Sequence, residues 1–165
     1  MPSVGYFSIM GFTKIINSFR NKKILIIGDL ILDRFIYGKV NRISPEAPVP
    51  VVDVVSESFL LGGAANVANN VIALGGKVSI AGIVGKDTAG RILKELFEER
   101  NINTEGIIED KRPTTVKTRV IAHHQQVVRF DREDRKRLEG KNLLNLANYI
   151  KKALNDHDAV IISDY

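Results

Sequence analysis

The most constraining feature of this sequence is a pair of glycines, Gly62 and Gly63, directly before a helical pattern that runs from residue 64 to 74 and ends at Gly75. Paired glycines let the backbone approach a ligand closely, because no Cβ lies in the way. The first N–H groups of a helix are free to donate to ligand oxygens. Asn66, within the first turn, can both donate and accept, which suits a sugar hydroxyl. The pattern predicts a ligand site, with a plain tight turn as the alternative.

The apolar runs of the chain predict an α/β fold. Residues 24–27 form a continuous apolar run, which is typical of a strand buried on both faces, and residues 78–84 and 159–162 are predicted to be further buried strands. Helical patterns cover 89–100, where Asp87 or Thr88 supplies the cap, and 138–154. Strands that alternate with helices predict a Rossmann-like parallel sheet with helices on both faces.

Two further segments do not fit that sheet. Residues 35–55 and 114–131 alternate polar and apolar residues, and the first contains prolines at 45, 48 and 50. Proline is confined to edge strands and bulges. We therefore expect a small β-lid beside the main sheet, in which residues 123–125 form a hairpin turn.

Bulk composition excludes several classes of protein. The chain of 165 residues has no cysteine, so disulfides and thiolate metal sites are excluded, which fits a reducing cytoplasm. No apolar run approaches the roughly 20 residues of a membrane span. Residues 1–23 hold four bases and no acid (+4), and the other 142 residues hold 20 bases and 19 acids (+1). This near-neutral domain argues against a nucleic-acid partner.

The first 23 residues predict a helical extension, and residues 24–165 form the domain itself. Phe12, Ile15, Ile16 and Phe19 recur at helical spacing. No small-residue cleavage pattern follows an apolar stretch, so the segment is not a secretory signal. We expect a short amphipathic helix that packs on the domain edge.

A known signature extends the argument. The spacing of seven small or amide residues resembles the first signature of the ribokinase-like (PfkB) carbohydrate kinases; they are Gly62, Gly63, Ala64, Asn66, Ala68, Gly75 and Gly85. Residues 42–52, with sequence RISPEAPVPVV, resemble the corresponding segment of the heptose 7-phosphate kinases of bacterial lipopolysaccharide synthesis. Segments 28–34, 117–120, 125–129 and 163–165 do so as well. The resemblance extends from Ile24 to Tyr165.

This resemblance implies the N-terminal half of a ribokinase-like domain, whose lid covers the sugar. The implied reaction transfers the γ-phosphate of ATP, with Mg²⁺, to the C1 hydroxyl of D-glycero-D-manno-heptose 7-phosphate in ADP-heptose synthesis. A domain of this family is about twice as long, and its second half carries the catalytic Asp and a Gly-Ala-Gly-Asp anion hole. Neither is found before Tyr165. We assign no catalytic residue here and expect the 165 residues alone to be inactive.

Two alternatives remain open at this stage. A ribokinase-like kinase for another sugar or a nucleoside would share the glycine signature, although residues 42–52 and the lid cations favour a phosphorylated substrate. A non-catalytic binding or assembly module is favoured only by the missing second half.

The resemblance also marks Asp33, four residues beyond the first strand, as an acceptor for sugar hydroxyls. A carboxylate accepts on two oxygens and forms strong charge-assisted hydrogen bonds. Related kinases often carry a polar residue two positions earlier, whereas this chain has Ile31, which leaves fewer hydroxyl contacts. Asp29 is expected instead to cap backbone groups at the strand end.

Four cations are candidates for binding the phosphate of the substrate. Lys117, Arg119 and Arg129 lie on the predicted lid hairpin, and Arg42 is a further candidate. Residues 117 and 119 share one face of a strand, so their charges repel unless an anion lies between them. A sugar phosphate would supply that anion, and arginine binds phosphate as a planar fork. The alternative is that these are solvated lid charges.

The two remaining expectations concern metals and association. His123 and His124 are adjacent and point apart, and no third ligand stands at a suitable spacing, so no metal site is assigned. Unpaired lid edges and the apolar content of the lid predict a homodimer through the lids. The leading contact candidates are Val116, Val120, Val128 and Phe130.

Overall fold

A computed structural model describes residues 6–165, with side chains from Phe12 onward, and divides the strands of this part into two sheets of four. The strands are β1 (Lys23–Gly28), β2 (Leu30–Ile43), β3 (Pro50–Gly63), β4 (Lys77–Gly85), β5 (Asn103–Asp110), β6 (Thr115–Ala122), β7 (Gln125–Arg132) and β8 (Ala159–Ser163). The helices are α1 (Tyr6–Ser18), α2 (Ala64–Ala73), α3 (Thr88–Glu98) and α4 (Gly140–Ala153), and a 3₁₀ turn covers Leu154–Asp156.

The main sheet has the order β5-β4-β1-β8 and is parallel throughout. Its central strands supply fully buried Leu25, Ile26 and Ile80. On one face, α2 and α3 close the larger core, to which α3 contributes Leu93 and Phe97. On the other face, the C-terminal half of α4 packs against the sheet in a second, smaller hydrophobic cluster. The predicted parallel sheet with helices on both faces is confirmed.

The second sheet, which we call the lid, has the order β3-β2-β6-β7. It is longer than the sequence predicts, because β2 begins at residue 30 and β3 continues to residue 63. The base of the lid, with Leu32 and Leu61, is buried in the main core. The residues at this base do not alternate with polar residues as those of the distal lid do. The sequence pattern alone therefore did not assign them to the lid. The predicted turn is a two-residue hairpin at His123 and His124, which have positive φ angles of 49° and 63°.

The burial of Val120 corrects one expectation about association; this residue lies on the lid face opposite Asp33, which we call the outer face. Cross-strand register places Val120 beside Val128, and Thr118 beside Phe130, on the same face. Val128 and Phe130 are half exposed, but Val120 is only 8% exposed and already packs within its own subunit. The prediction that Val120 is an accessible contact residue is therefore wrong, since its side chain is already buried within the subunit.

The N-terminal helix forms as expected, but its apolar stripe does not pack as expected. Phe12, Ile15 and Ile16 are about half exposed. Phe19, just beyond the helix, lines a cleft beside the main sheet. Helical spacing predicts a stripe but not the surface on which the stripe lies. In the described part of the chain, no helix combines the length and the apolar character needed to cross a membrane.

Candidate functional site at the junction of the two sheets

The glycine pair and Asp33 meet at the base of the lid. Gly62 pairs with Ile31 across β2 and β3, and a Cβ at position 62 would lie 2.7 Å from Oδ2 of Asp33. Gly63 has a positive φ of 54°, and a Cβ there would lie 2.6 Å from the Asp29 carbonyl oxygen. Both glycines are thus required by the geometry, one to admit a carboxylate and one to turn the chain into α2.

The first turn of α2 begins at this point. Gly63 is the N-cap residue and has no side chain to accept from the helix, although the Ala64 N–H donates to the Asp29 carbonyl oxygen at 2.9 Å. Asn66 follows within the same turn and is exposed. The first turn of α2, with the exposed Asn66 amide, thus begins two residues after the glycine against which Asp33 lies, and its N–H groups and amide can donate to a molecule rich in hydroxyls.

The predicted lid cations lie on the same face of the lid as Asp33. Lys117 and Arg119 of β6 alternate with buried Thr118, and Arg129 lies directly across from Arg119 on β7. Arg119 Nη1 donates to Asp33 Oδ1 at 2.6 Å, in a pair whose side chains are 23% and 21% exposed. The structure therefore unites the sugar-acceptor candidate and a phosphate-binding candidate in one ion pair.

A carboxylate that the sequence analysis missed completes the charge pattern. Asp131 accepts two hydrogen bonds from the Arg129 guanidinium, at 2.9 and 2.6 Å. These bonds lower the pKa of the Asp131 carboxyl; burial opposes the shift, and the charges of Lys117 and Arg119 add to it. Asp131 stands two residues after Arg129, so strand alternation could have placed it on this face.

The anion expected between Lys117 and Arg119 is therefore supplied by the chain itself, as the carboxylate of Asp33. Asp33 is the parallel cross-strand neighbour of Lys117 and the ion-pair partner of Arg119. The Nζ of Lys117 lies 5.3 Å from the centre of the Tyr165 ring. A bound phosphate would join an existing network of charges on this face, instead of separating two bare cations.

The structure does not bring Arg42 to this group. Arg42 is exposed near the tip of the β2–β3 hairpin, where it pairs with Val51. Nine residues of extended strand separate it from Asp33, a distance of about 30 Å at ~3.3 Å per residue. Its closeness in sequence to the site residues is misleading, because β2 is a single long strand.

A cleft of about 500 Å³ opens between the lid and the carboxyl end of the main sheet. Its lining includes Lys117, Arg129 and Asp131, together with residues that the sequence analysis did not propose: Arg112, Thr115, Glu133, Asp134, Arg135, Lys136 and Asp164. Asp29, also in the lining, accepts from the Tyr165 N–H at 3.0 Å, which confirms its expected capping role. Open α/β sheets bind ligands at the carboxyl ends of their strands, as here.

Asp87 ties the lid to the main sheet. Its Oδ1 accepts from the Gly90 N–H at 2.9 Å and the Thr114 hydroxyl at 2.7 Å, and Oδ2 accepts from the Thr114 N–H at 3.0 Å. The Thr114 hydroxyl oxygen in turn accepts from the Gly85 N–H at 2.8 Å. Burial raises the pKa of the Asp87 carboxyl, but the hydrogen bonds from Thr114 and Gly90 outweigh it, and the net pKa is lowered. Asp87 is also the predicted N-cap of α3.

The histidine pair lies away from this cleft, in the β6–β7 turn. The Nε2 of His123 lies 3.2 Å from the Val40 carbonyl oxygen. Within residues that the structure describes, no group of three His, Cys, Asp or Glu side chains is arranged to hold a metal ion.

Known proteins resemble this chain closely in sequence. The bifunctional protein HldE of Helicobacter pylori (strain G27) is 50% identical over 145 residues, which cover 87% of this chain and 31% of that protein. The bifunctional protein HldE of Geobacter sulfurreducens is 48% identical over 142 residues, which cover 86% and 29%. The chain thus spans about a third of the length of the curated relatives it matches.

Solved structures share the fold. The microbiome-derived acarbose kinase Mak1 has a TM-score of 0.64 at 20% identity, over 86% of this chain and 45% of that chain. Phosphofructokinase-2 of Escherichia coli in complex with fructose-6-phosphate has a TM-score of 0.62 at 19% identity, over 87% and 45%. These likenesses confirm the ribokinase-like α/β fold expected from the glycine signature.

The sequence profile described as "pfkB family carbohydrate kinase" matches residues 21–164. That match contains the whole main sheet, the lid and the junction at which Asp33 meets the glycine pair. The chain belongs to the pfkB family of carbohydrate kinases.

Proposed function

We propose that this chain is the sugar-binding half of a kinase that phosphorylates the C1 hydroxyl of D-glycero-D-manno-heptose 7-phosphate, in ADP-heptose synthesis for the lipopolysaccharide core. One observation carries the proposal. The Asp33 carboxylate lies over Gly62 at the start of α2, on the same lid face as Lys117 and Arg129. A hydroxyl acceptor and a group of cations thus share one face of the lid, and Lys117 and Arg129 of that group also line the adjoining cleft.

Charge supports a phosphorylated sugar over a neutral one. The site face of the lid carries three cations (Lys117, Arg119 and Arg129) and two carboxylates (Asp33 and Asp131), a net charge of +1. Elsewhere in the cleft lining, Arg112, Arg135 and Lys136 are offset by Asp29, Glu133, Asp134 and Asp164, so the positive charge belongs to the site face of the lid. The choice of a heptose rests on the resemblance of residues 42–52 and on the similarity to the HldE proteins.

The contribution of these residues to phosphoryl transfer is positioning. Catalysis of this reaction depends mostly on geometry and on stabilising charge. Asp33 accepts hydrogen bonds from sugar hydroxyls, the α2 N–H groups and Asn66 donate to sugar oxygens, and the lid excludes water. ATP supplies the phosphoryl group and Mg²⁺ would accompany it. The residues to which we assign a role here contact the sugar, and ATP and Mg²⁺ are proposed for the complete enzyme.

Two further parts of the proposal concern assembly and location. The exposed Val128 and Phe130 on the outer lid face support a homodimer through the lids, with Val116 at the partly buried edge of the contact. We place the kinase in the cytoplasm, where its co-substrate ATP is made and where a chain without cysteines is well suited.

A ligand panel tests the choice of substrate. Titration calorimetry would compare D-glycero-D-manno-heptose 7-phosphate with the unphosphorylated heptose, ribose and fructose 6-phosphate. Tightest binding of the heptose phosphate is expected. Tighter binding of ribose or fructose 6-phosphate would favour a kinase for another sugar, and binding of none would favour an assembly module.

A further inference from the structure

Arg119 contacts two side chains of the lid itself. Its guanidinium donates to Asp33 Oδ1 at 2.6 Å and lies 5.3 Å from the centre of the Phe35 ring, which is its neighbour across β2 and β6. An arginine paired with a carboxylate and stacked on an aromatic ring has lost much of its freedom to turn. The residue is thus fixed toward Asp33, not toward the open cleft.

The two oxygens of Asp33 face different partners. Oδ1 receives Arg119, while Oδ2 lies against Gly62 at the start of α2. The ion pair therefore sets the direction in which the second oxygen points. If Arg119 swung away to fork a phosphate, it would leave a carboxylate that is only 21% exposed without its partner, which is costly.

The other two lid cations differ in their freedom. Arg129 is held by both oxygens of Asp131. Lys117, in contrast, has no ion pair with any carboxylate in the described part of the chain; its Nζ lies beside the Tyr165 ring and lines the cleft. A lysine ammonium on a flexible stem can move to meet an anion without breaking an existing pair.

We propose that Arg119 is a positioning residue that orients Asp33 for the sugar hydroxyls, and that Lys117 is the cation that distinguishes phosphorylated from unphosphorylated sugars. This inference rests on the proposed function. It reverses the expectation from the sequence that the Arg119 fork binds the phosphate, because the fork is already directed at Asp33.

The first test needs no ligand. Thermal unfolding of Asp33→Asn, Arg119→Gln and the double variant forms a cycle that measures the coupling of the two side chains. The double variant should unfold near the midpoint of the less stable single variant. Fully additive shifts in midpoint would overturn the positioning role.

The second test compares two ligands, D-glycero-D-manno-heptose 7-phosphate and the unphosphorylated heptose, by calorimetry on the 165-residue chain. Arg119→Gln should weaken both about equally, and Arg119→Lys should recover part of the loss. Lys117→Gln, the matched variant two residues away, should weaken the phosphorylated sugar at least tenfold more than the unphosphorylated one.

The opposite pattern would overturn the inference: a loss confined to the phosphorylated sugar in Arg119→Gln, or equal losses for both sugars in Lys117→Gln. Neither pattern would challenge the proposed function, since the wild type would still bind the sugar phosphate. If the wild type bound neither sugar, the proposed function would fail and the assignment to Lys117 with it. The unfolding cycle would still decide the pairing of Arg119 with Asp33.

Discussion

The Asp33 carboxylate fills the space that a side chain at position 62 would occupy, with its Oδ2 2.7 Å from the place of the missing Cβ. Gly62→Ala should therefore displace the carboxylate, because the ion pair with Arg119 prevents it from yielding freely. We expect sugar affinity to fall about tenfold, equivalent to ~1.4 kcal/mol. Calorimetry with the heptose phosphate would measure the change.

Gly38→Ala is the matched control for this substitution. A Cβ at position 38 would lie 2.5 Å from Val52 Cγ1 and 2.7 Å from the Asp53 carbonyl oxygen, on the lid but remote from Asp33. It should lower the free energy of unfolding, by about 1–3 kcal/mol for overpacking, and leave sugar affinity unchanged. Equal loss of affinity in both variants would show that Gly62 matters only for lid stability.

Asp87→Asn should destabilise the joint between lid and main sheet. The substitution weakens a partly buried acceptor of three hydrogen bonds, so we expect a loss of about 1–3 kcal/mol in the free energy of unfolding at neutral pH. Urea titration at pH 7 would measure it. Thr88→Ala, the next residue along, is exposed and serves as the control, with little change expected.

The free energies of unfolding of the wild type and of Asp87→Asn should respond differently to acid. Because the folded-state pKa of Asp87 is lowered below the unfolded value of about 3.9, its hydrogen bonds contribute fully above that pH. The contribution disappears as pH falls through the folded-state pKa. The stability difference between wild type and Asp87→Asn should therefore narrow below about pH 4. A difference that widened on acidification would contradict this assignment of charge.

Phe130→Asp should dissociate the proposed lid dimer. Phe130 is 53% exposed on the outer lid face, so a charge there should disrupt an interface without unfolding the subunit, unlike a charge at buried Val120. Sedimentation should show a dimer for the wild type and for Leu144→Asp, an exposed site on α4 away from the lid. A monomeric wild type would argue against lid pairing, as would loss of the dimer in Leu144→Asp alone.

Local patterns predicted the main sheet well, because buried parallel strands such as β1 and β4 are predominantly apolar and end at glycine. They predicted the lid less well. The base of β2 and β3 is as apolar as the main strands, since it lies in the same core. The exposed face of α1 was beyond prediction, because helical spacing does not reveal what a stripe contacts.

Most of the candidate site residues predicted from the sequence lie near one another in the structure, but their contacts were not predicted. Asp33, Gly62, Gly63, Lys117, Arg119 and Arg129 all lie at the junction of the sheets, with Asn66 in the first turn beyond it. Sequence spacing could not show that Arg119 pairs with Asp33, a partner 86 residues away, or that Arg42 lies far along β2. The first fact depends on the pairing of β2 with β6 and the second on the length of the β2–β3 hairpin, and no local pattern encodes either.

The most direct measurement is the calorimetric affinity of D-glycero-D-manno-heptose 7-phosphate for wild type, for Asp33→Asn and for the control Asp53→Asn on the distal lid. Loss of a charge-assisted acceptor should cost about 1.5–3 kcal/mol in Asp33→Asn. The affinity of Asp53→Asn should match that of the wild type, and in the complete enzyme ATP binding should be similar in all three. Unchanged sugar affinity in Asp33→Asn, or a wild type that does not bind the sugar phosphate, would contradict the central claim.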